Sequence, residues 1–417
     1  MMTSETLTLI ILYFGLTTVL GGLLMSWRFV QLRRDAMAGA FSGFGAALVG
    51  LGVPGLAALW VGAQPKKLGL VESQLEADKT DDGPRFELES NVLWGMGAFA
   101  FMWLTLGVLA ANTEPSRFMV VLAQGMYEGT LIFLVAAGLS IIFGLMDVLN
   151  LAQGALFMIG AYMAAEVFGG LRPDMGLYPA FFLALLAAFL LGGGVGYVME
   201  AYLIRPTYSR IFFQLVLTFG VALALTEVVI ARYGTEGIAP LDLDLASGED
   251  SLLTGLVPGT RIQAYWIFMI AIGLVLMVGV QYLLQNTRIG IIIRAGVQDS
   301  EMVEALGVNV RLVFTVVFML GAALASLGGA VASGFLPPTP LMGDIFLLQA
   351  IAVVIIGGLG SYSGTAVAAI VMGISGAVAS HFAFVEFNSD ALGSTAVLVV
   401  LLIVLFIKPT GLFGRSH

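Results

Sequence analysis

Two uncharged hydrogen-bonding side chains, Asn150 and Gln153, stand at the head of the apolar run LNLAQGALFMIGAY, close to Gly154 and Gly160. An amide both donates and accepts. The pair can therefore satisfy backbone groups freed where a helix begins or breaks, or line a polar path through an apolar medium without the desolvation of a buried charge. The plainer alternative is that both amides cap a helix end at the cytoplasmic interface and never meet a solute. Charged candidates are few: Glu128 and Glu227 sit inside apolar runs, where an acid is by default a candidate for function. Glu200 lies one to two helical turns before Arg205 and is expected to pair with it at a cytoplasmic boundary, and Glu227 lies near enough to Arg232 for a partly screened pair. Other chemistry is scarce. There is no cysteine, and His381 and His417 are the only histidines, so no disulfide, thiolate nucleophile or zinc–cysteine site is available, no metal site is readable and no cofactor is expected. No G-x-x-x-x-G-K-[ST] loop is present to cradle phosphates. A membrane-embedded enzyme is disfavoured, for no cluster of His, Cys or acids could carry catalysis.

Composition says what must position these residues. Apolar residues make up 59% of the 417, charged residues 11%, and the mean hydropathy is +0.99, far outside the range of soluble globular chains. A crossing helix takes about 20 apolar residues, and runs of that kind occur at 6–26, 92–111, 118–146, 177–199, 211–231, 264–284, 312–335 and 391–407. Stretches such as VLVVLLIVLFI are apolar on every face, unlike barrel strands, which alternate in and out. The expected fold class is all-α, a polytopic transmembrane helix bundle of about 9–12 membrane segments at that length per crossing. The first run carries Glu5 in place of a basic leader and shows no small-residue cleavage site before Trp27, so it reads as a retained helix.

Residues 1–112 read as an N-terminal prefix of two or three membrane segments with a charged linker at about 63–90, and 117–417 as the main membrane domain. Within the prefix, AFSGFGAALVGLGVPGLAALWVG is glycine-rich and broken by Pro54, so it either crosses or packs as an irregular helix. The net charge of −9 is concentrated in acidic loops such as DLDLASGEDS. That pattern speaks against nucleic acid as a partner and suits a salt-rich, halophilic setting, an ordinary acidic loop being the alternative. Arg205 and Arg210, then Arg288, Arg294 and Arg311, then Lys408 and Arg415 lie at alternate ends of successive spans. By the positive-inside bias these ends, the C-terminus included, are expected to be cytoplasmic. The same reckoning places 63–90 inside, yet puts Arg28, Arg33 and Arg34 outside if all three prefix segments cross.

The cytoplasmic connection NTRIGIIIRAGVQDSEMVEALGVNVRLVF, 286–314, is longer than a bundle connector needs to be. Ser300 is a ready N-cap, Glu301 and Glu304 follow in the first turn, and Gly307 can end the helix, which signals a short amphipathic helix able to dock; a solvated loop is the alternative. Further on, Gly357, Gly358, Gly360 and Gly364 surround a turn between two apolar helices, a hairpin that gates a pathway or simply packs closely.

EALGVNV with the small-residue helix GAALASLGGAVA after it resembles the coupling segment of permeases in ABC importers of the branched-chain amino acid type, the family that also includes urea permeases. LNLAQGALFMIGAY, LIRPTYSR, VVIIGGLGSYSGTAVAAIVMG and IKPTGLFGR resemble other stretches of that family, in the same order, over roughly 117–417; Gln153 stands where the family usually carries histidine. The resemblance implies a non-enzymatic subunit of the cytoplasmic membrane that forms a translocation pathway for branched-chain amino acids or a similar small polar solute, urea or short amides being the alternative. It implies partners as well: cytosolic ATP-binding subunits, a sister permease in a heterodimer and an extracytoplasmic solute-binding protein. Arg294, Glu301, Glu304, Ala305 and Gly307 would form the ATPase-coupling segment, and Asn150, Gln153, Gly154, Gly357, Gly358 and Gly360 a pathway or gate. The competing class is an ion-coupled secondary transporter using Glu128 or Glu227.

Overall fold

The computed structural model describes residues 115–208, 210–241, 243, 263–287, 290–292, 295, 304 and 309–387. The chain divides into two units, Met1–Pro115 and Ser116–His417, and the described residues belong almost wholly to the second. The runs at 6–26, 92–111 and 391–407, the linker at 63–90 and most of the 286–309 connection lie outside the described residues.

Among the described residues, eight helices carry this unit: α1 Pro115–Met146, α2 Gln153–Met175, α3 Leu177–Val198, α4 Ile211–Tyr233, α5 Ala264–Asn286, α6 Val310–Ala332, α7 Met342–Gly357 and α8 Tyr362–Phe387. No strand occurs among the described residues, and seven of the helices are long and apolar enough to cross a membrane. The fold is an all-α polytopic bundle. The eighth helix, α7, has 16 residues, about 24 Å at 1.5 Å per residue, short of the roughly 30 Å hydrocarbon layer.

Local sequence explains the breaks. The chain leaves α1 at Asp147, whose φ of 53° and whose N–H, 2.9 Å from Phe143 O, end the helix in a left-handed residue. Asn309 starts α6, its side chain accepting from Leu312 N at 3.2 Å as an N-cap does. Gly358 (φ 98°) and Gly360 (φ 78°) turn α7 into α8, backbone that side-chain-bearing residues resist. α3 ends in a wider π turn, Met199–Ile204, followed by a 3₁₀ turn, Arg205–Thr207.

α2, α3 and α6 pack closely together, and small residues make that possible. α3 and α6 are antiparallel, Gly192 facing Ser326 and Gly196 facing Ala322 and Met319. Ser326 Oγ also donates to Ala188 O at 2.6 Å. α1 runs antiparallel to α6, with Leu134 against Gly328 and Gly138 against Gly321, and to α8, with Gly125 against Ile374 and Gly129 against Ala369. α4 and α5 are the least buried and present Phe212, Phe219, Leu223, Val228, Val275 and Val278 outward, an apolar surface suited to lipid or to another subunit.

Candidate pathway and coupling sites

Asn150 and Gln153 meet within the junction of α1, α2 and α6, and both are fully buried. The break between α1 and α2 frees backbone groups, and the amides take up part of them: Asn150 Oδ1 accepts from Ala152 N at 3.1 Å, and Thr218 Oγ1 of α4 accepts from Leu151 N at 3.2 Å. Asn150 Nδ2 donates to Gln153 Oε1 at 3.0 Å, and Gln153 Nε2 donates to Gly321 O in the middle of α6 at 2.8 Å. Gly138 makes the space, because a Cβ there would collide with both Gln153 Nε2 and Gly321 O. The result is a chain of amides that ties the junction of α1 and α2 to α6 without a charge. Sequence reasoning finds the two amides but not Thr218, Gly138 or Gly321, which carry no signal until the helices are laid side by side.

The glycines placed beside them show the same economy of side chains. Gly154 abuts the backbone of Gly343 in α7, Gly357 lies against Gly364 so closely that a Cβ on Gly357 would stand 2.5 Å from Thr365 N, and Gly360 touches Gly144 Cα at the end of α1. Backbone meets backbone at each point. Thr365 Oγ1, 3.1 Å from Ser140 Oγ, ties the hairpin to α1 nearby.

The charged residues separate into three situations. Glu128 accepts from Gln124 Nε2 at 2.9 Å within α1, beside Tyr127, whose ring packs on Trp266 and Phe335. Glu227 is exposed on α4 and no described residue pairs with it. The expected Glu227–Arg232 pair is therefore corrected: Arg232 reaches across to α2, 3.2 Å from Glu166, which also accepts from Tyr233 Oη at 2.5 Å. A partner on a neighbouring helix displaced the one along the same helix. Glu200, by contrast, does pair with Arg205, Oε2 lying 2.9 Å from Nη2.

Of the residues expected to couple to an ATPase, Glu304 is helical and exposed, while Arg294, Glu301, Ala305 and Gly307 lie outside the described residues. Among the described residues no three His, Asp or Glu side chains could together hold a metal ion.

Crossing helices that meet through neutral amides and bare backbone make this a membrane-embedded bundle. The model of the family described as the permease component of branched-chain amino acid transport systems matches residues 121–407, and the chain belongs to that family. It is 25% identical over 303 residues to the high-affinity branched-chain amino acid transport permease LivH of Escherichia coli, covering 70% of this chain and 94% of that one. With BraD of Pseudomonas aeruginosa, another high-affinity branched-chain amino acid permease, it shares 27% over 318 residues, 73% of this chain and 98% of the relative. The probable permease LivH of Methanocaldococcus jannaschii is 24% identical over 313 residues, 71% and 92% of the two chains. No solved structure matches. The chain is a permease subunit of an ABC transporter and a multi-pass membrane protein.

Proposed function

We propose that this permease forms the import pathway for branched-chain amino acids, with ATP hydrolysed by cytosolic partners, solute delivered by an extracytoplasmic binding protein, and a sister permease completing the channel across the exposed faces of α4 and α5. The family match over 121–407 carries this reading, and the relatives' names supply the substrate class. Residues 117–417 then do the transporting and the 1–112 prefix is an addition to them. With the segment around Arg294, Glu301, Glu304, Ala305 and Gly307 on the cytoplasmic side, the C-terminus is cytoplasmic too. Closure of the ATPase dimer reaches the membrane as a tilt of α5 and α6, which flank that segment. The amide chain of Asn150 and Gln153, with Gly154, Gly357, Gly358 and Gly360, gates the path where helices can shift against one another unhindered by side chains.

Two experiments test this. Replacing Glu304 and Gly307 together is expected to abolish ATP-driven uptake, or copurification with the ATPase, while the permease still inserts; unchanged uptake would remove the coupling assignment. In proteoliposomes loaded with the ATPase, Glu128→Gln and, separately, Glu227→Gln are expected to leave ATP-driven uptake within about twofold of wild type, since each removes a charge at nearly constant shape from a group that an ATP-driven cycle does not titrate. An ion-coupled carrier would instead take up solute on a proton gradient alone and lose that uptake in Glu128→Gln, since a membrane-embedded acid is tolerated when it must exchange protons.

A further inference from the structure

Glu200 has more partners than an ordinary boundary ion pair. Its side chain is fully buried, and it sits in the π turn that widens the end of α3, the kind of helical irregularity often found at working sites. Arg205 holds it twice, Nε 3.3 Å from Oε1 and Nη2 2.9 Å from Oε2. Tyr208 Oη donates to Oε1 at 2.6 Å. The fourth contact comes from another helix: Thr315 Oγ1 donates to Oε2 at 2.6 Å while accepting from Arg205 Nη2 at 2.8 Å. The single hydroxyl proton of Thr315 could also go to Arg311 O at 2.9 Å, but the carboxylate is nearer and charged, and charge-assisted bonds are the stronger.

The position of Thr315 gives this cluster its meaning. It lies in the second turn of α6, directly after the 287–309 connection, and α6 is antiparallel to α3 along a seam where Gly192 and Gly196 receive the small side chains of Ser326 and Ala322 and Ser326 Oγ donates to Ala188 O. Those contacts hold the two helices farther along the seam. At the end of α3 the link is a carboxylate shared by both helices, and parting α6 from α3 there would strip buried Glu200 of one of its donors.

We infer that Glu200 is a positioning residue for energy coupling, its carboxylate pinning α6 to the end of α3 through Thr315 so that movement of the 287–309 segment carries both helices together and reaches the α2–α6 crossing. This inference rests on the importer reading. The functional role requires the bridge itself, whereas a purely structural role would require only that the cluster be filled.

Thr315→Val tests the difference, since it keeps the shape and deletes the bridging hydroxyl while Arg205 and Tyr208 continue to hold Glu200. The full chain, copurified with its ATPase and reconstituted, is assayed for solute taken up per ATP hydrolysed and for folded yield. The expected result is an ATPase rate near wild type with uptake per ATP lowered about tenfold, matching the loss of one hydrogen bond to a charged group, and recovery in Thr315→Ser, which restores the hydroxyl. If uptake and hydrolysis in Thr315→Val fall in parallel, or uptake per ATP is unchanged, Glu200 only stabilises the fold and the inference is overturned. Should Thr315→Val yield no folded complex, Tyr208→Phe serves as the comparison that leaves the α3–α6 bridge in place: near-normal uptake per ATP there, with Glu200→Gln uncoupled, supports the role, and equal losses in both discard it. Wild-type uptake indifferent to ATP would overturn the importer reading itself, and this inference with it.

Discussion

Gly329→Ala is expected to leave almost no folded permease. A Cβ at position 329 would fall well inside contact distance of Phe157 O and 3.0 Å from Ala161 N, and the reciprocal position, Gly160, would drive a Cβ into Ser326 O with Ser326 Cα 2.6 Å away. Those obstacles are backbone atoms of a helix, so no rotamer change relieves them and α2 and α6 must separate. Overpacking that side chains can absorb costs about 1–3 kcal/mol; a backbone-to-backbone collision between two closely packed helices is expected to exceed that range. Three consecutive glycines of α3 provide an internal scale. A Cβ on Gly192 would meet Ala322 O at 2.8 Å and Ser326 Oγ at 3.0 Å, one on Gly193 would find Ala323 Cβ at 3.7 Å, and one on Gly194 would find nothing within 4 Å. Alanine is worth roughly 0.5–1 kcal/mol over glycine inside a helix, so Gly194→Ala and Gly193→Ala are expected to melt at or slightly above wild type. Gly192→Ala should melt below it and Gly329→Ala lowest of all. Fluorescence-detected size exclusion after graded heating reads the order directly. A stable, monodisperse Gly329→Ala protein would show that α2 and α6 do not cross at backbone contact.

Why some of this is legible in the sequence and some is not depends on where the information lies. Spans 118–146, 177–199, 211–231, 264–284 and 312–335 are readable because uniform apolarity is a property of the chain alone, and each is a helix within a few residues at most boundaries. α2 reads as an apolar stretch behind Gln153 but does not count among the spans, since Glu166 and Arg172 fall inside it. α7 and α8 read as the arms of a glycine hairpin; α7 is strongly apolar but only 16 residues long, short of a full crossing run, and Ser, Thr and Gly lower the hydropathy of α8. Pairings show the same division. Glu200 with Arg205 can be read because both lie on one stretch of chain, and Thr315 cannot, being 115 residues away. Arg232 with Glu227 is the local choice and the structure gives Arg232 to Glu166 instead, because α2 and α4 lie side by side there. Lateral neighbours of this kind depend on which helices touch, which the apolarity of either one leaves open.

Gln153→Leu is expected to destabilise the permease by about 1–3 kcal/mol, as one buried donor is left unmatched. Asn150 Nδ2 loses its acceptor and cannot turn to water, being fully buried, whereas Gly321 O keeps its donor within α6. Gln153→Glu should be worse. It is nearly isosteric, but its carboxylate would place an acceptor against Gly321 O, a repulsive pair in a dry setting, and it would bury a charge with only Asn150 to hold it. Asn150→Ala in the Gln153→Leu background is expected to add less than it does alone, because the bond between the two amides has already gone; a double-mutant cycle on thermal midpoints measures that coupling. The same variants decide what the amides are for. If they only join α1, α2 and α6, uptake per folded molecule in Gln153→Leu stays at the wild-type value and the loss is confined to yield and midpoint. If they gate the path, the molecules that do fold transport more slowly at saturating solute while hydrolysing ATP at the usual rate, and Asn150→Ala shows the same defect. Equal uptake per folded molecule in both variants would withdraw Asn150 and Gln153 from the pathway and leave them as the joint that holds it in shape.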